Sequence, residues 1–344
     1  MSKKQEVKKE LEVKRILFIS NYEAGSGGIS VQVGLLNRLI KEDGYKSDIF
    51  TTKGSVIFRV LLIFRLLIKG RGYDVFHIHG CSYRGFFPII VGVLAGKILR
   101  KKIIVRYHGG DAALYFAKSP GFVRFFLCRT NVNIVLSGYL GGVFDTHNLP
   151  YIIIPNIIDF EKSEFEIRNE IQPKFISVRS LHELYNIQCI IDAFAKVKSQ
   201  YPTATLTIIG DGPQKNDLEK RVLDLNLKDV KFTGQVDNND IYSYLKKADV
   251  FLSAPKIDNQ PVSILEAFNA GLLVISSRVG GVPYMIEDTL NGYLFESENA
   301  KELAEKMMLA LRDQKQSKQM VLNAHKSLDL YKWDSVKTKL FELY

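Results

Sequence analysis

Short apolar runs alternate with helix-period segments along the whole chain, and few architectures tolerate that pattern. The runs RILFIS (15–20), DVFHIH (74–79), KIIVRYH (102–108), NIVLS (133–137) and YIIIP (151–155) read as buried strands. A second series repeats the rhythm: KFISV (174–178), ATLTIIG (204–210), DVKF (229–232), DVFLS (249–253) and LLVIS (272–276). Between them lie segments such as Val31–Ile40, which sets Leu35, Leu36, Leu39 and Ile40 on one side of a helix. Strands apolar on both faces belong in parallel sheets, and each parallel step carries a covering helix. The pattern predicts an α/β chain with two doubly wound domains. Its 344 residues also exceed what one core usually serves. The boundary is expected in Asp159 to Pro173, a charged stretch ending in proline just before a new strand.

Charge is distributed unevenly. Residues 1–160 hold 23 Lys and Arg against 11 Asp and Glu, while the remainder holds 24 against 26. A basic first half fits either a solvated surface or an anionic partner. Cys81, Cys128 and Cys189 are scattered, which argues against a disulfide framework or a cysteine-rich zinc site. Val56 to Ile68 is the longest approach to a membrane span, but Arg59 and Arg65 interrupt it and it falls short of ~20 residues. The charged first residues lack the apolar core of a secretory signal. A cytoplasmic protein is expected, with attachment to the inner face of the cell membrane as an option.

In doubly wound sheets ligands bind beyond the carboxyl ends of the strands, and several unusual groups fall there. Gly25-Ser26-Gly27-Gly28 joins a strand to a helix, where backbone N–H groups can approach an anion; a tight turn explains it equally well. His108-Gly109-Gly110-Asp111 puts a histidine at a strand end, either in a cleft or as a satisfied structural side chain. His77 and His79 share one strand face but lack metal-site spacing. Arg179 follows a strand and could clamp phosphate or form a surface ion pair. Residues 254–267 are the most informative: a polar loop with Asp258, then Pro261 opening a helix that carries Glu266. Free N–H groups near Val262 and Ser263 would make an anion site, and Glu266 is better suited to accept hydroxyl hydrogen bonds than to act as an acid.

Together these segments resemble the retaining glycosyltransferases of family 4, which have the GT-B fold. The strongest match is DNQPVSILEAFNAGLLVISSRVGGVPYMI (258–286), similar to the family's pair of acidic residues eight apart and the Gly-Gly turn after it. PNIID (155–159), VRSL (178–181), IIGDGP (208–213) and FTG (232–234) follow in family order. The resemblance implies an acceptor-side Rossmann-like domain over 1–165 and a donor-binding one over 170–329, facing across a cleft. Helix 330–344 has the option of packing back on the first. Arg179, His108 and Asp258 would be catalytic. Gly27, Gly28, Gly234, Val262, Ser263 and Glu266 would bind the nucleotide-sugar, with Glu266 on the ribose. No metal or other cofactor is implied.

The chain departs from the family pattern at four places. Asp258 stands for a glutamate, and Pro261 for a glycine. Tyr185 and Asn186 fill the stretch where a lysine is usual, and Tyr284 stands where glutamate is common. The implied activity is transfer of a hexose-type sugar from a nucleotide-sugar to a lipid-linked or saccharide acceptor, in envelope or exopolysaccharide assembly. Nucleic acid is not an expected partner, whereas an anionic membrane surface is a candidate one. With ~100° per residue, Arg59, Arg65 and Lys69 fall near 0°, 240° and 280° around a helix and leave a broad apolar sector. A sugar-nucleotide epimerase or hydrolase, or a non-catalytic nucleotide-sugar-binding protein, are the alternatives.

Overall fold

The computed structural model describes residues 14–23, 27–54, 56–162, 165–238 and 240–344. The first domain carries strands β1 (Arg15–Ser20), β2 (Lys46–Thr51), β3 (Val75–Gly80), β4 (Lys102–Tyr107), β5 (Val132–Val135) and β6 (Ile152–Ile153). They form one parallel sheet in the order β2-β1-β3-β4-β5-β6. The second carries β7 (Lys174–Val178), β8 (Thr205–Ile209), β9 (Val230–Gly234), β10 (Val250–Ser253), β11 (Leu273–Ser277) and β12 (Tyr293–Phe295). Its order, β12-β11-β10-β7-β8-β9, is again parallel. Ten of these strands match the expected runs to within a few residues. The other two, β2 and β12, are edge strands. KSDIFT is buried only intermittently, so its apolar signal is broken, and β12 has only three residues.

Alternation along β1 shows how each sheet is covered on both faces. Leu17 and Ile19 point into a core shared with Leu62, Leu66, Ile89, Val93 and Phe126, from helices 56–70, 87–98 and 120–127. Ile16 and Phe18 point the other way, toward Val33 and Leu36 of helix 28–42. That second face is completed by Val336, Leu340 and Tyr344, from and just after helix 333–341. Leu340 is fully buried, a contact worth about 1.5–3 kcal/mol. In the second domain, helices 187–200 and 300–312 cover one face and helix 262–269 the other. Between the sheets, Arg168 is fixed to the second domain, its guanidinium 3.4 Å from Asp249 and bonded to the Ala270 carbonyl.

The two domains meet through the loop before helix 262–269. Gln260 accepts from the Asn156 backbone N–H at 2.5 Å and donates to the Leu136 carbonyl at 3.1 Å. Ser137 Oγ and Asn259 Oδ1 lie 2.5 Å apart. These bonds tie the carboxyl ends of β5 and β6 to the end of β10 and set the width of the cleft.

Candidate active site

Arg179 follows β7 directly, and its backbone N–H bonds the Ile209 carbonyl of β8 at 2.9 Å. The close approach of the two strand ends depends on Gly210, which has φ +141°; a Cβ there would lie 1.9 Å from the Arg179 carbonyl oxygen. The Arg179 guanidinium meets Asp258 at 2.8 Å, with both side chains mostly buried, and lies 5.0 Å from the centre of the Tyr185 ring. Asp258 is engaged at both oxygens, since Oδ1 accepts from the Asn259 N–H at 2.8 Å. The Gly-Gly turn holds this loop from behind: Gly281 N–H bonds the Asp258 carbonyl at 3.0 Å, and a Cβ on Gly280 would lie 2.0 Å from that same oxygen. Gly110 of the first domain abuts the loop from the opposite side, with room for a Cβ only 3.0 Å from Asp258 backbone.

Two joined cavities of about 300 and 320 Å³ open around this pair. Gly28, Arg179, Tyr185 and Val262 line both. Gly27, Ser263 and Glu266 line the first, and His108 and Asp258 the second. Helices 28–42 and 262–269 both begin here without a side-chain cap, so their positive ends face the cavity. Arg179 Nε and Ser263 Oγ are buried with no hydrogen-bond partner. Buried donors in a folded protein are normally satisfied, and these two belong to residues that line the cavity. Glu266 is half-buried on the cleft side of its helix, whereas Ile264, Leu265 and Phe268 face the core. Among the described residues, Arg179 is the only Lys or Arg on these two cavities. Lys256 instead pairs with Glu183 and Glu298.

Eight of the nine site residues named from the sequence thus line one cleft. Gly234 does not; it ends β9 with φ +71°, and the turn after it contributes Gln235, Val236 and Asn238. Gly25 and Ser26 of the glycine loop lie outside the described residues. Tyr185 gained its place by stacking on Arg179, and Asn259 and Gln260 by joining the domains. Only Tyr185 had a signal in the sequence, as occupant of the lysine stretch.

A stack of imidazoles runs from this cleft into the first domain. His108 Nε2 and His79 Nδ1 are 3.0 Å apart, the His79 and His77 rings 4.7 Å, and His77 Nδ1 and the Tyr344 hydroxyl 2.7 Å. Burial, reinforced by Arg106, holds the His108 pKa down to about 3. Burial also drives His77 and His79 well below their ordinary range. Arg106 is itself lowered to about 10 by burial and has only the Ile154 and Pro155 carbonyls as partners, at 3.3 and 2.5 Å. All three histidines are therefore neutral at physiological pH. Among the described residues no group of three or more His, Cys, Asp or Glu is placed to hold a metal ion.

Two doubly wound parallel domains facing each other across a cleft define the GT-B fold. Residues 159–327 match the family described as glycosyl transferases group 1. N-acetyl-alpha-D-glucosaminyl L-malate synthase of Bacillus anthracis is 24% identical over 273 residues, covering 74% of this chain and 70% of that protein. Alpha-monoglucosyldiacylglycerol synthase of Streptococcus pneumoniae is 25% identical over 334 residues, 82% of this chain and 75% of that one. The structure of Anabaena Alr3699/HepE in complex with UDP-glucose shares the fold, with TM-score 0.77, 18% identity, and coverage of 96% of this chain and 98% of that one. The protein is a glycosyltransferase.

Proposed function

We propose that this enzyme transfers a hexose-type sugar, with retention of configuration, from a nucleoside-diphosphate sugar to a lipid-linked or saccharide acceptor. The observation that carries the reading is the convergence of Arg179, orphaned Ser263 Oγ and two helix N-termini on one cavity. Departure of a diphosphate from the anomeric carbon builds negative charge, and preorganised donors stabilise that charge in the transition state. Arg179 and the helix ends at Gly28 and Val262 supply those donors without a metal. Glu266 holds the ribose, and the turn after Gly234 lies by the base. The second domain is the donor side and the first the acceptor side.

Asp258 serves as an orienting carboxylate. Both its oxygens are engaged, so it fixes Arg179 and the sugar without attacking the anomeric carbon. His108, held neutral, offers a hydrogen bond to the sugar from the first-domain side. UDP-sugars are the donors to test first, because HepE was solved with UDP-glucose. A panel of UDP-sugars with lipid-linked and soluble acceptors, read by UDP release, tests the reading. Arg179→Ala should lower turnover about 100-fold or more, the loss typical of one removed charge-stabilising donor. Saturable donor binding with no release under any acceptor would reduce the protein to a binding module, and unchanged turnover in folded Arg179→Ala would remove that residue from the chemistry.

A further inference from the structure

One face of the first domain is built unlike the rest of the surface. Helix 56–70 buries Leu62 and Leu66 in the core, yet its outer side carries Leu61, Phe64 and Ile68 at 53%, 59% and 69% exposure. Their spacing of i, i+3, i+7 makes one outward stripe. Helix 87–98 packs beside it and exposes Ile98 at 63%. Helix 120–127 packs beside that and exposes Phe122 and Phe125 at 45% and 47%. An outer helix face normally carries polar side chains, and grouped exposed apolar residues mark an interaction surface.

The charge around the face selects the partner. Residues 49–144 contain 13 Lys and Arg besides the buried Arg106, and only two acids, Asp74 and Asp111. Asp74 is already paired with Arg15, and Asp111 lines the cleft. Arg65 and Lys69 flank the stripe, and Arg129 lies 3.6 Å from the centre of the Phe125 ring. The side chain of Arg59 lies outside the described residues. Two copies of so basic a face would repel each other, whereas anionic lipid complements both its charge and its apolar stripe. No described helix is long and apolar enough to cross a membrane, so the face would lie on the bilayer.

We propose that helices 56–70, 87–98 and 120–127 dock this enzyme onto an anionic lipid bilayer, with Leu61, Phe64, Ile68, Ile98, Phe122 and Phe125 entering the headgroup region. A ladder of rings leads from that face toward the cleft: Phe122 to Phe86 at 5.7 Å, Phe86 to Tyr115 at 5.5 Å and Tyr115 to Tyr83 at 5.0 Å. Tyr83 adjoins Ser82 on the cavity of His108. Docking would therefore bring the acceptor side of the cleft near the headgroups; this last step rests on the proposed function, and the docking itself does not.

The test is co-sedimentation of the full chain with vesicles of phosphatidylcholine alone or mixed with phosphatidylglycerol, at low and high salt. Binding should require phosphatidylglycerol and weaken several-fold in high salt. Phe64→Ser, Ile68→Ser, Phe122→Ser and Phe125→Ser together should weaken it at least ~10-fold, with circular dichroism and UDP affinity unchanged. Should that variant misfold, Arg65→Ser with Lys69→Ser, both exposed, should still weaken binding to the mixed vesicles. No binding of the wild type to mixed vesicles at low salt would overturn the proposal and leave the face to an acidic protein partner. Wild-type affinity in the folded apolar variant would overturn it too.

Discussion

Lowering the pH from 7.5 to 5.5 should cost the first domain a large part of its stability, through the imidazole stack. An unfolded histidine titrates near ~6.5. In the fold, His77 and His79 are 0% and 1% exposed, and burial keeps them neutral far below that pH. Below pH ~6.5 the unfolded chain takes up protons that the folded chain refuses. The stabilising contribution is fully present above that pH and falls as pH drops toward the folded-state values. One unit below ~6.5, each excluded proton costs about 1.4 kcal/mol, so the pair costs about 3 kcal/mol. His108, pushed down to about 3, acts with the same sign. A typical domain has only ~5–15 kcal/mol in total. Urea unfolding followed by fluorescence reads this directly, because the chain has one tryptophan. Trp333 packs on the first-domain core and donates from its indole to Asp43 at 2.8 Å. His77→Asn and His79→Asn keep an N–H near the Nδ1 position without titrating, and each should flatten the pH dependence by about 1.4 kcal/mol. If wild type and both variants lose the same stability between the two pH values, the stack is not the source of acid lability.

Glu266→Gln should weaken UDP binding by calorimetry while leaving turnover at saturating donor nearly intact, since an amide offers one fewer acceptor oxygen; native UDP affinity would remove Glu266 from the ribose. Gly210→Ala forces a Cβ to within 1.9 Å of the Arg179 carbonyl in a backbone conformation suited to glycine. It should destabilise the fold by at least ~1–3 kcal/mol, read as a lower melting temperature, and displace Arg179 from the donor. An unchanged melting temperature and UDP affinity would mean that the two strand ends can part without consequence.

Much of this architecture is legible because it rests on local periodicity and on residues placed just past strand ends. Arg179, His108 and Asp258 all stand where a parallel sheet delivers side chains to a cleft, and the helix that follows Pro261 and carries Glu266 begins where its proline suggests. What the sequence conceals depends on long-range partners. Nothing local in Gln260 indicates that it reaches Asn156 and Leu136 of the other domain. His77 and His79 are visibly on one face, but their partner Tyr344 is 267 positions from His77. Strand β2 escapes notice because an edge strand with one covered face has a broken apolar run. On helix 56–70 the cations mark out a broad apolar sector, but where nearly every residue is apolar, periodicity cannot tell which part of it is core and which is surface.

The return of helix 333–341 to the first domain has a consequence for how the protein is made. Ile16, Phe18 and Ile104 are translated early, but Leu340 and Tyr344, which cover the same sheet face, come much later. At a synthesis rate of ~5–20 residues per second, the interval from His77 to Tyr344 is on the order of 10–50 s. Throughout that time this sheet face has helix 28–42 over it, but the part that Val336, Leu340 and Tyr344 will cover stays open while the entire second domain is translated and can fold. The nascent chain therefore completes the core of its first domain, including the tyrosine that seats against His77, only after its second domain has been translated.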